Sequence, residues 1–362
     1  MGGRSLTRST KKLYSSLLSL LFFLFHSASG RELKFVLLAY RHGDRSPIEK
    51  YPTGLHSESD WPQGFGQLTK IGIQQQYELG QYIKKRYSNF LSATYKREEK
   101  LRYPVFNCPR YLELLKETMT SREFQTKIQP YQEFIKTISF YSGYNPSTLK
   151  YLDNFKLWHI QDTLFCESIH NYTLPKWATK DVRAKLSELT VISLSALFGI
   201  YKREEKARLQ GGLLVKAILE NISNAAKYPD KRKMLVYSAH DTTLGALQMA
   251  LNVYNEKLLP YAACQFFELY KESNGQTHSI EYTIEMHFQN DTSKDPYLLT
   301  LPGCSSACPL SQFTELVSPI LVEDWESECK TEGKKGNYLD MNKEDEQPVA
   351  QMEQALGLSA TS

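Results

Sequence analysis

Beyond residue 30 the sequence lacks two features that would direct it to a membrane or a polyanion. It has no apolar run long enough to cross a bilayer. It also lacks a net charge, because the whole chain has 44 Lys and Arg against 40 Asp and Glu, and four of the basic residues but none of the acidic ones precede position 31. Residues 31–362 therefore have equal numbers of basic and acidic side chains, and their net charge does not favour binding to nucleic acid or to an anionic membrane.

The first 30 residues, by contrast, have the composition of a secretory signal peptide. Four basic side chains precede an apolar run from Leu13 to Phe25, and the small-residue pattern Ala28-Ser29-Gly30 follows it. This run is too short for a typical membrane span. We therefore expect export with cleavage after Gly30, no transmembrane anchor, and a polar, disordered tail over residues 330–362.

Cysteine is scarce, and all six cysteines lie in the exported part of the chain. An even number in an oxidising compartment predicts three disulfides, but the sequence alone leaves every pairing open. A zinc site at Cys304 and Cys308 is the rival interpretation, and it is disfavoured because no nearby Cys or His pair completes the ligand set. We therefore predict no metal. The cysteines are Cys108, Cys166, Cys264, Cys304, Cys308 and Cys329.

The strongest local signal is an apolar segment that ends in a cluster of cations. Leu33 to Tyr40 is too short for a typical helix and predicts a strand buried on both faces, as in a parallel sheet. Arg41, His42 and Arg45 follow it, at the strand end where ligands of open α/β sheets bind. Two guanidiniums disfavour protonated imidazole and can bind a phosphate or carboxylate, so this turn predicts an anion site.

The rest of the chain predicts an α/β fold. Met234 to Tyr237 is a second short buried strand that also ends in a polar cluster, so the site would form from two strand ends far apart in sequence. Cys264 to Lys271 and Ile280 to Phe288 alternate as paired strands do. Between the strand at Leu33 to Tyr40 and the strand at Met234 to Tyr237, the region from Cys108 to Ala207 is mainly helical.

Two motifs resemble those of the histidine acid phosphatases. Residues 41–47, Arg-His-Gly-Asp-Arg-Ser-Pro, match the RHGxRxP signature of that family, and residues 238–243, Ser-Ala-His-Asp-Thr-Thr, match its second motif. The resemblance extends from about Arg31 to Cys329 and is closest to the vertebrate prostatic and lysosomal branches. It implies hydrolysis of phosphomonoesters without a cofactor, on a layered mixed sheet with flanking helices, like that of phosphoglycerate mutase.

The resemblance also implies a role for each site residue. His42 would attack phosphorus and form a phosphohistidine, and Arg41 and Arg45 would bind the phosphoryl oxygens. His240 would contact the phosphate, and Asp241 would protonate the leaving oxygen, which suits acidic pH. Without the family, an N-cap for the following helix explains Asp241 equally well. The five other histidines beyond residue 30 have no such surroundings and are interpreted as structural: His56, His159, His170, His278 and His287.

Domains and disulfides follow from the same resemblance. Residues 31–107 and 208–329 would form a discontinuous α/β domain, and residues 108–207 a smaller, mainly helical one over the phosphate pocket. The family pairing joins Cys108 to Cys329, Cys166 to Cys264, and Cys304 to Cys308. Relatives of the prostatic branch dimerise, so a homodimer is expected. The lack of a later membrane span favours a secreted protein over a lysosomal one. Acceptor sequences for N-glycosylation begin at Asn171, Asn221 and Asn290.

One stretch of the family pattern is missing. Relatives follow the first helix with a strand that ends in Arg-Ser-Thr-Asp, whose arginine binds phosphate, whereas this chain runs from residues 95–100 directly into the stretch before Cys108. Several dozen residues are absent at that junction, and neither Arg102 nor Arg110 is placed by the sequence to substitute for the lost cation. The alternative function is therefore a catalytically impaired or inactive secreted glycoprotein. A mutase or phytase of the wider superfamily fits the sequence less well.

Overall fold

A mixed sheet flanked by helices organises the computed structural model of this chain, which describes residues 30–91, 108–145, 149, 156–228, 232–273 and 280–331. Residues 1–29 of the predicted signal peptide, residues 332–362 of the predicted tail, Arg102 and His278 lie outside these residues. The strands are β1 (Gly30–Arg41), β2 (Met234–Ala239), β3 (Cys264–Ser273), β4 (Ile280–Gln289), β5 (Tyr297–Leu299) and β6 (Cys308–Pro309).

Eleven described α-helices accompany the sheet, and short 3₁₀ turns join some of them. The helices are α1 (Lys70–Arg86), α2 (Pro109–Thr120), α3 (Arg122–Ile128), α4 (Gln132–Ser142), α5 (Lys156–Ile169), α6 (Lys180–Phe198), α7 (Arg203–Leu209), α8 (Gly211–Lys227), α9 (Asp241–Ala250), α10 (Leu310–Val317) and α11 (Trp325–Glu328). No single helix among them has both the length and the apolar character of a membrane span, and only α6 and α7 together, bent by 79° at their break, reach both.

The sheet order is β2-β1-β3-β4-β5, with β6 paired to β4. β1 and β2 are parallel, as the buried apolar runs predict, and Arg41 lies opposite Ala239. β1 and β3, and β3 and β4, are antiparallel. β2 and β3 pair with β1 on its two sides. Among the described strands, β2 forms the edge of the sheet next to β1, and β5 ends the opposite side.

The two faces of β1 are buried against different helices. Phe35, Leu37 and Ala39 pack into a core that α8, α9 and α10 complete. Val36 and Leu38 point to the opposite face, where Leu79 and Tyr87 cover them. This double burial explains why β1 is a continuous apolar run instead of an alternating one, and it holds the following turn on a rigid strand.

The region from residue 108 to 207 is helical, as predicted, and has a core of its own. Phe124, Ile160 and Leu186 are fully buried there. Tyr51, from the segment after the cationic turn, is part of the same core. The division of the chain into two domains stays a prediction.

The predicted disulfides Cys108–Cys329 and Cys304–Cys308 are present. The predicted Cys166–Cys264 bond is wrong, since both cysteines are free and buried. The physical reason is that their side chains occupy different environments. Cys264 packs with Val36 and Leu38 on the α1 face of the sheet, whereas Cys166 on α5 contacts the hydroxyl of Tyr261 at 3.6 Å.

We expect the Cys108–Cys329 bond to contribute strongly to stability. It joins residues 221 positions apart, and the chain-entropy model gives about 5 kcal/mol for closing a loop of that size. The double variant Cys108→Ser/Cys329→Ser should lower the free energy of unfolding in urea by that amount. Cys304→Ser/Cys308→Ser, which opens a bond with a separation of only 4, is the matched control and should cost about 2 kcal/mol. Equal losses in the two variants would contradict the loop-length argument.

Lys206, in α7, is a charged residue in a buried position. It ends the segment Tyr-Lys-Arg-Glu-Glu-Lys at residues 201–206, and its side chain is fully buried. Its ammonium donates to Thr118 Oγ1 at 3.0 Å and to the carbonyl of Ala196 at 2.7 Å, and also contacts the carbonyl of Ile200. Carbonyls near the end of α6 lack helical partners, so a buried amine that reaches them replaces water there.

Candidate active site

The ends of β1 and β2 bring the two sequence motifs together. Because the strands are parallel and Arg41 is in register with Ala239, His42 and His240 leave the sheet side by side. The His42 amide donates to the Ala239 carbonyl at 3.1 Å, and the two imidazole centroids lie 5.3 Å apart. The structure therefore brings all five predicted site residues, Arg41, His42, Arg45, His240 and Asp241, to one edge of the sheet, as the strand-end argument expects.

His42 is largely buried and its tautomer is defined by one contact. Its Nδ1 lies 2.8 Å from the carbonyl oxygen of Gly43. A carbonyl only accepts, so Nδ1 carries the proton and Nε2 keeps its lone pair. Burial, followed by the charges of Arg41 and Arg45, lowers the pKa of His42 to about 3. The imidazole is thus neutral at acidic pH and presents a nucleophilic nitrogen.

Arg41 is buried beneath the site and only partly satisfied. Its Nη1 donates to the Leu259 carbonyl at 2.5 Å, and its Nη2 lies 2.9 Å from Asp241 Oδ2. The guanidinium stacks on the ring of Tyr261 at 4.2 Å. Its Nε is buried without a partner among the described residues. An orphaned donor of this kind, in a fixed guanidinium fork, is suited to a phosphate oxygen.

Arg45 is also buried and is fixed by a carboxylate. Its Nη1 donates to Asp162 Oδ2 on α5 at 2.9 Å and to the Ser46 carbonyl at 3.0 Å. Both side chains of the pair are 7% exposed, so water does not screen them strongly. The guanidinium is therefore held in one orientation near His42.

His240 and Asp241 occupy the start of α9. His240 is the N-cap residue and Asp241 the first helical residue, so the alternative interpretation of Asp241 as the N-cap is wrong by one position. Burial by itself would raise the pKa of Asp241, but Arg41 and the other nearby cationic groups lower it. Burial lowers the pKa of His240, and Arg41 and Arg45 add to that effect against the opposing charge of Asp241.

A cavity of about 490 Å³ opens beside Arg41 and Asp241. Most of its wall is apolar or aromatic, and short hydroxyl side chains from α6 supply polar positions. The lining residues are Arg41, Gln75, Trp158, Gln161, Asp162, Phe165, Ile169, Ser187, Thr190, Ser193, Leu194, Leu197, Asp241, Thr242, Leu258, Leu259, Pro260, Tyr261, Asn290, Asp291 and Thr292.

Several contacting residues were missed by sequence reasoning. Asp162 pairs with Arg45, and Tyr261 stacks on Arg41 and lies 5.7 Å from the His42 ring. His170, which was interpreted as structural, contacts Asp44 Oδ2 at 2.7 Å. A charged residue on the apolar helix α5 was the available signal for Asp162; nothing in the sequence indicated Tyr261.

Arg110 does not substitute for the missing cation. It lies in α2, where its Nε donates to Glu205 at 2.6 Å and its Nη1 to Glu117 at 3.2 Å. These partners hold its charge on the surface between α2 and α7. Within the described residues, Arg41 and Arg45 are the arginines that contact the site's carboxylates.

Outside this site, one group of side chains in the described part of the chain has the composition of a metal site. Glu268, Glu285 and His287 bring their ligand atoms within 4.8 Å of one another. The two carboxylates are already paired, with Arg86 at 2.8 Å and Arg31 at 2.7 Å. Two neighbouring guanidiniums oppose a bound cation, so we assign no metal there.

The predicted glycosylation positions differ in exposure. Asn171 and Asn290 are exposed. Asn221 is half-buried within α8, and its amide donates to the Ala217 carbonyl at 2.8 Å. The side chains of Asn171 and Asn290 are thus accessible to solvent, whereas the side-chain amide of Asn221 is hydrogen-bonded within its helix.

Comparison with known proteins gives consistent matches. A family model described as the histidine phosphatase superfamily (branch 2) matches residues 32–106 and 100–288. The chain is 43% identical to prostatic acid phosphatase of Homo sapiens over 378 aligned positions, which cover 90% of this chain and 95% of the relative. It is 42% identical to lysosomal acid phosphatase of Xenopus laevis over 371 positions, with 88% and 84% covered.

Among solved structures, the apo form of Hafnia alvei phytase matches with a TM-score of 0.59. The match covers 83% of this chain and 99% of the phytase, at 15% sequence identity. The sequence identity is low, so this similarity concerns the fold alone. It agrees with the predicted α/β architecture.

Proposed function

This chain belongs to the histidine phosphatase superfamily (branch 2), and on that premise we propose that it hydrolyses phosphomonoesters through a phosphohistidine at His42. The observation that carries the proposal is the contact of His42 Nδ1 with the Gly43 carbonyl. It leaves the Nε2 lone pair free beside Arg41 and Arg45. The acid phosphatase relatives support the same reaction.

The first step is an in-line displacement at phosphorus. His42 Nε2 donates its lone pair to phosphorus, and the bond from phosphorus to the leaving oxygen breaks. Arg41 and Arg45 bind the phosphoryl oxygens, whose charge they stabilise in the transition state. Because both guanidiniums are already fixed by carboxylates, little reorganisation accompanies the reaction.

Asp241 supplies the proton that the leaving oxygen takes. In the ligand-free site the pKa of Asp241 is lowered, with Arg41 as its nearest cation. A bound phosphate brings negative charge next to Asp241 and competes for Arg41, and both effects raise that pKa. In the second step water attacks phosphorus, the nitrogen–phosphorus bond breaks, and Asp241 takes a proton from the water. The site is then restored.

The direct test is hydrolysis of an aryl phosphomonoester at acidic pH by the purified chain. We expect turnover of the monoester and none of the corresponding diester, since a diester lacks one of the oxygens that the two arginines bind. Absence of monoester turnover in a folded, monodisperse sample would exclude the proposal and favour the impaired alternative.

The pH dependence gives a separate prediction. His42 attacks only when neutral, and its pKa of about 3 keeps it neutral above that pH. The acid limb of kcat/KM, which reports the free enzyme, should therefore fall near pH 3. An unperturbed histidine would place it near pH 6.5. Steady-state kinetics from about pH 3 to about pH 7 test this, with a check that activity returns at the optimum after each incubation. An acid limb near pH 6.5 would contradict the assignment.

Reduced activity is the second candidate, and the alignments support it. About 326 residues make up 90% of this 362-residue chain, so roughly 52 of the 378 positions aligned to the human relative hold no residue of this chain. The family model also matches in two parts that overlap at residues 100–106, where the sequence lacks the Arg-Ser-Thr-Asp stretch. We propose that a segment with a phosphate-binding arginine is absent there.

We further propose that the protein is secreted, glycosylated at Asn171 and Asn290, and homodimeric. The composition of residues 1–30 supports export. The exposure of the two asparagines supports modification. Expression in a secreting cell line, glycosidase treatment and light scattering test the three points in turn.

A further inference from the structure

The two charged residues that follow Gly43 are both buried and are held from the same helix. Arg45 pairs with Asp162 of α5 at 2.9 Å. Asp44 pairs with His170, the residue after the end of α5, at 2.7 Å. In the first pair the turn supplies the donor, and in the second pair it supplies the acceptor. The turn that contains His42 is thus attached by two side-chain contacts, one to α5 and one to the residue that follows this helix.

The buried carboxylate of Asp44 has only two side-chain hydrogen-bond donors among the described residues. Its side chain is 1% exposed, and its Oδ1 has no partner among the described residues. Oδ2 accepts hydrogen bonds from His170 Nε2 and Thr69 Oγ1. A carboxylate only accepts, so Nε2 of His170 is the donor. Loss of His170 would leave a buried carboxylate with a single hydroxyl donor, which is a costly state for a charge.

His170 is held in place by its own surroundings. Its amide donates to the Cys166 carbonyl at 3.1 Å, which continues the α5 pattern. The buried ring of Trp61 lies edge-on to its imidazole, with centroids 5.3 Å apart. The imidazole therefore reaches Asp44 from a fixed position.

The other side of the turn is fixed by the start of α1. The Asp44 amide donates to Gln75 Oε1 at 2.7 Å, and the Thr69 amide donates to the Asp44 carbonyl at 3.1 Å. The backbones approach so closely that a Cβ on Gly72 would lie 1.9 Å from the Asp44 oxygen. Asp44 is consequently the point at which the turn is held between α1 and α5.

We infer that His170 is a positioning residue for the active site, acting through Asp44 on His42 and Arg45. The inference rests on the proposed function. His42 lies two residues before Asp44, and Arg45 directly follows it. A displacement of about 1 Å at reacting groups can cost about 10²-fold in rate, so the Asp44–His170 contact controls the rate without touching the substrate.

The experiment compares three replacements of His170 that differ in reach. His170→Gln keeps an amide donor at about the distance of Nε2, His170→Asn carries the same amide one carbon shorter, and His170→Ala removes it. We expect kcat to fall about 10- to 100-fold in the Ala and Asn variants. Kcat should stay within about threefold of wild type in the Gln variant. KM should change less than kcat, because the arginines remain present.

His159→Ala is the matched control. His159 also lies on α5 and contacts a carboxylate, that of Glu49, from the same segment. Glu49 is 40% exposed, and it lies four residues beyond Arg45. The control should therefore leave kcat within about threefold of wild type, whatever it does to the melting temperature.

Binding of orthovanadate, followed by quenching of tryptophan fluorescence, separates the inference from the proposed function. If wild type binds vanadate but has no turnover, the proposed function fails, and weaker vanadate binding in the Asn variant than in the Gln variant still supports the positioning role. Equal kcat and equal vanadate affinity in the Gln and Asn variants would overturn it. So would a kcat loss in His159→Ala as large as that in His170→Ala. If His170→Ala does not fold, the Gln and Asn pair decides.

Discussion

Replacing His42 with alanine is expected to abolish turnover of an aryl phosphomonoester and to remove the phosphohistidine. The imidazole Nε2 is the group that would form the bond to phosphorus, and no other described histidine combines a free nitrogen with two flanking guanidiniums. Removal of a nucleophile in comparable covalent mechanisms costs on the order of 10⁶-fold in kcat. The activity of the variant should therefore be indistinguishable from background.

The intermediate can be measured directly. A phosphomonoester labelled in the phosphoryl group, with an alkaline quench that preserves phosphohistidine, should label wild type and leave His42→Ala unlabelled. His56→Ala is the control, because His56 contacts the Thr173 carbonyl outside the site. Label retained in the His42 variant, with a melting temperature close to wild type, would refute the assignment of the nucleophile.

Inserting the segment that we propose to be absent should have the second largest effect. We expect insertion of the corresponding segment of the human prostatic relative between Lys100 and Leu101 to raise kcat about 10²- to 10³-fold, the typical effect of one preorganised donor to transition-state charge. The described part of the chain supplies only Arg41 and Arg45 to the site, since Arg110 is paired with Glu205 and Glu117.

The matched control carries the same insertion with its phosphate-binding arginine changed to alanine. This variant restores the length of the chain without the cation. If both insertions raise kcat equally, the gain comes from the restored length of the chain and not from the charge. If neither raises kcat in a folded protein, the proposal that the absent arginine limits the rate is wrong.

The two free cysteines lie in different parts of the structure. Cys166 lies beside Tyr261, which stacks on Arg41, and Cys264 lies on the other face of the sheet. In the relatives' pattern these cysteines would form a bond. In this structure α5 is instead attached to the catalytic turn by the Asp162 and His170 contacts.

Local chemistry determined much of the fold from the sequence. Leu33 to Tyr40 is a short apolar run, and such a run is typical of a strand that is buried on both faces of a sheet. Thr69 caps α1 through its hydroxyl, which accepts from the Gly72 amide. The alternation of Ile284, Met286 and Phe288 places all three on one buried face. These outcomes depend on neighbours within a few residues.

The convergence of Arg41, His42, His240 and Asp241 was also predictable. Each motif follows a strand, and parallel strands end at the same edge of a sheet. The precise start of α9 was not predictable, because a single residue decides whether His240 or Asp241 is the cap.

Only the tertiary structure decided which remote side chains complete the site. Asp162 and Tyr261 lie more than a hundred residues beyond Arg45 and contact the two arginines because α5 and the residues before β3 pack over the strand ends. The burial of Lys206, the separation of Cys166 from Cys264 and the contact of His170 with Asp44 have the same origin. Sequence periodicity fixes which face of an element is apolar, but the contacts of a charged side chain depend on which distant segment packs against it, and that is a property of the folded chain alone.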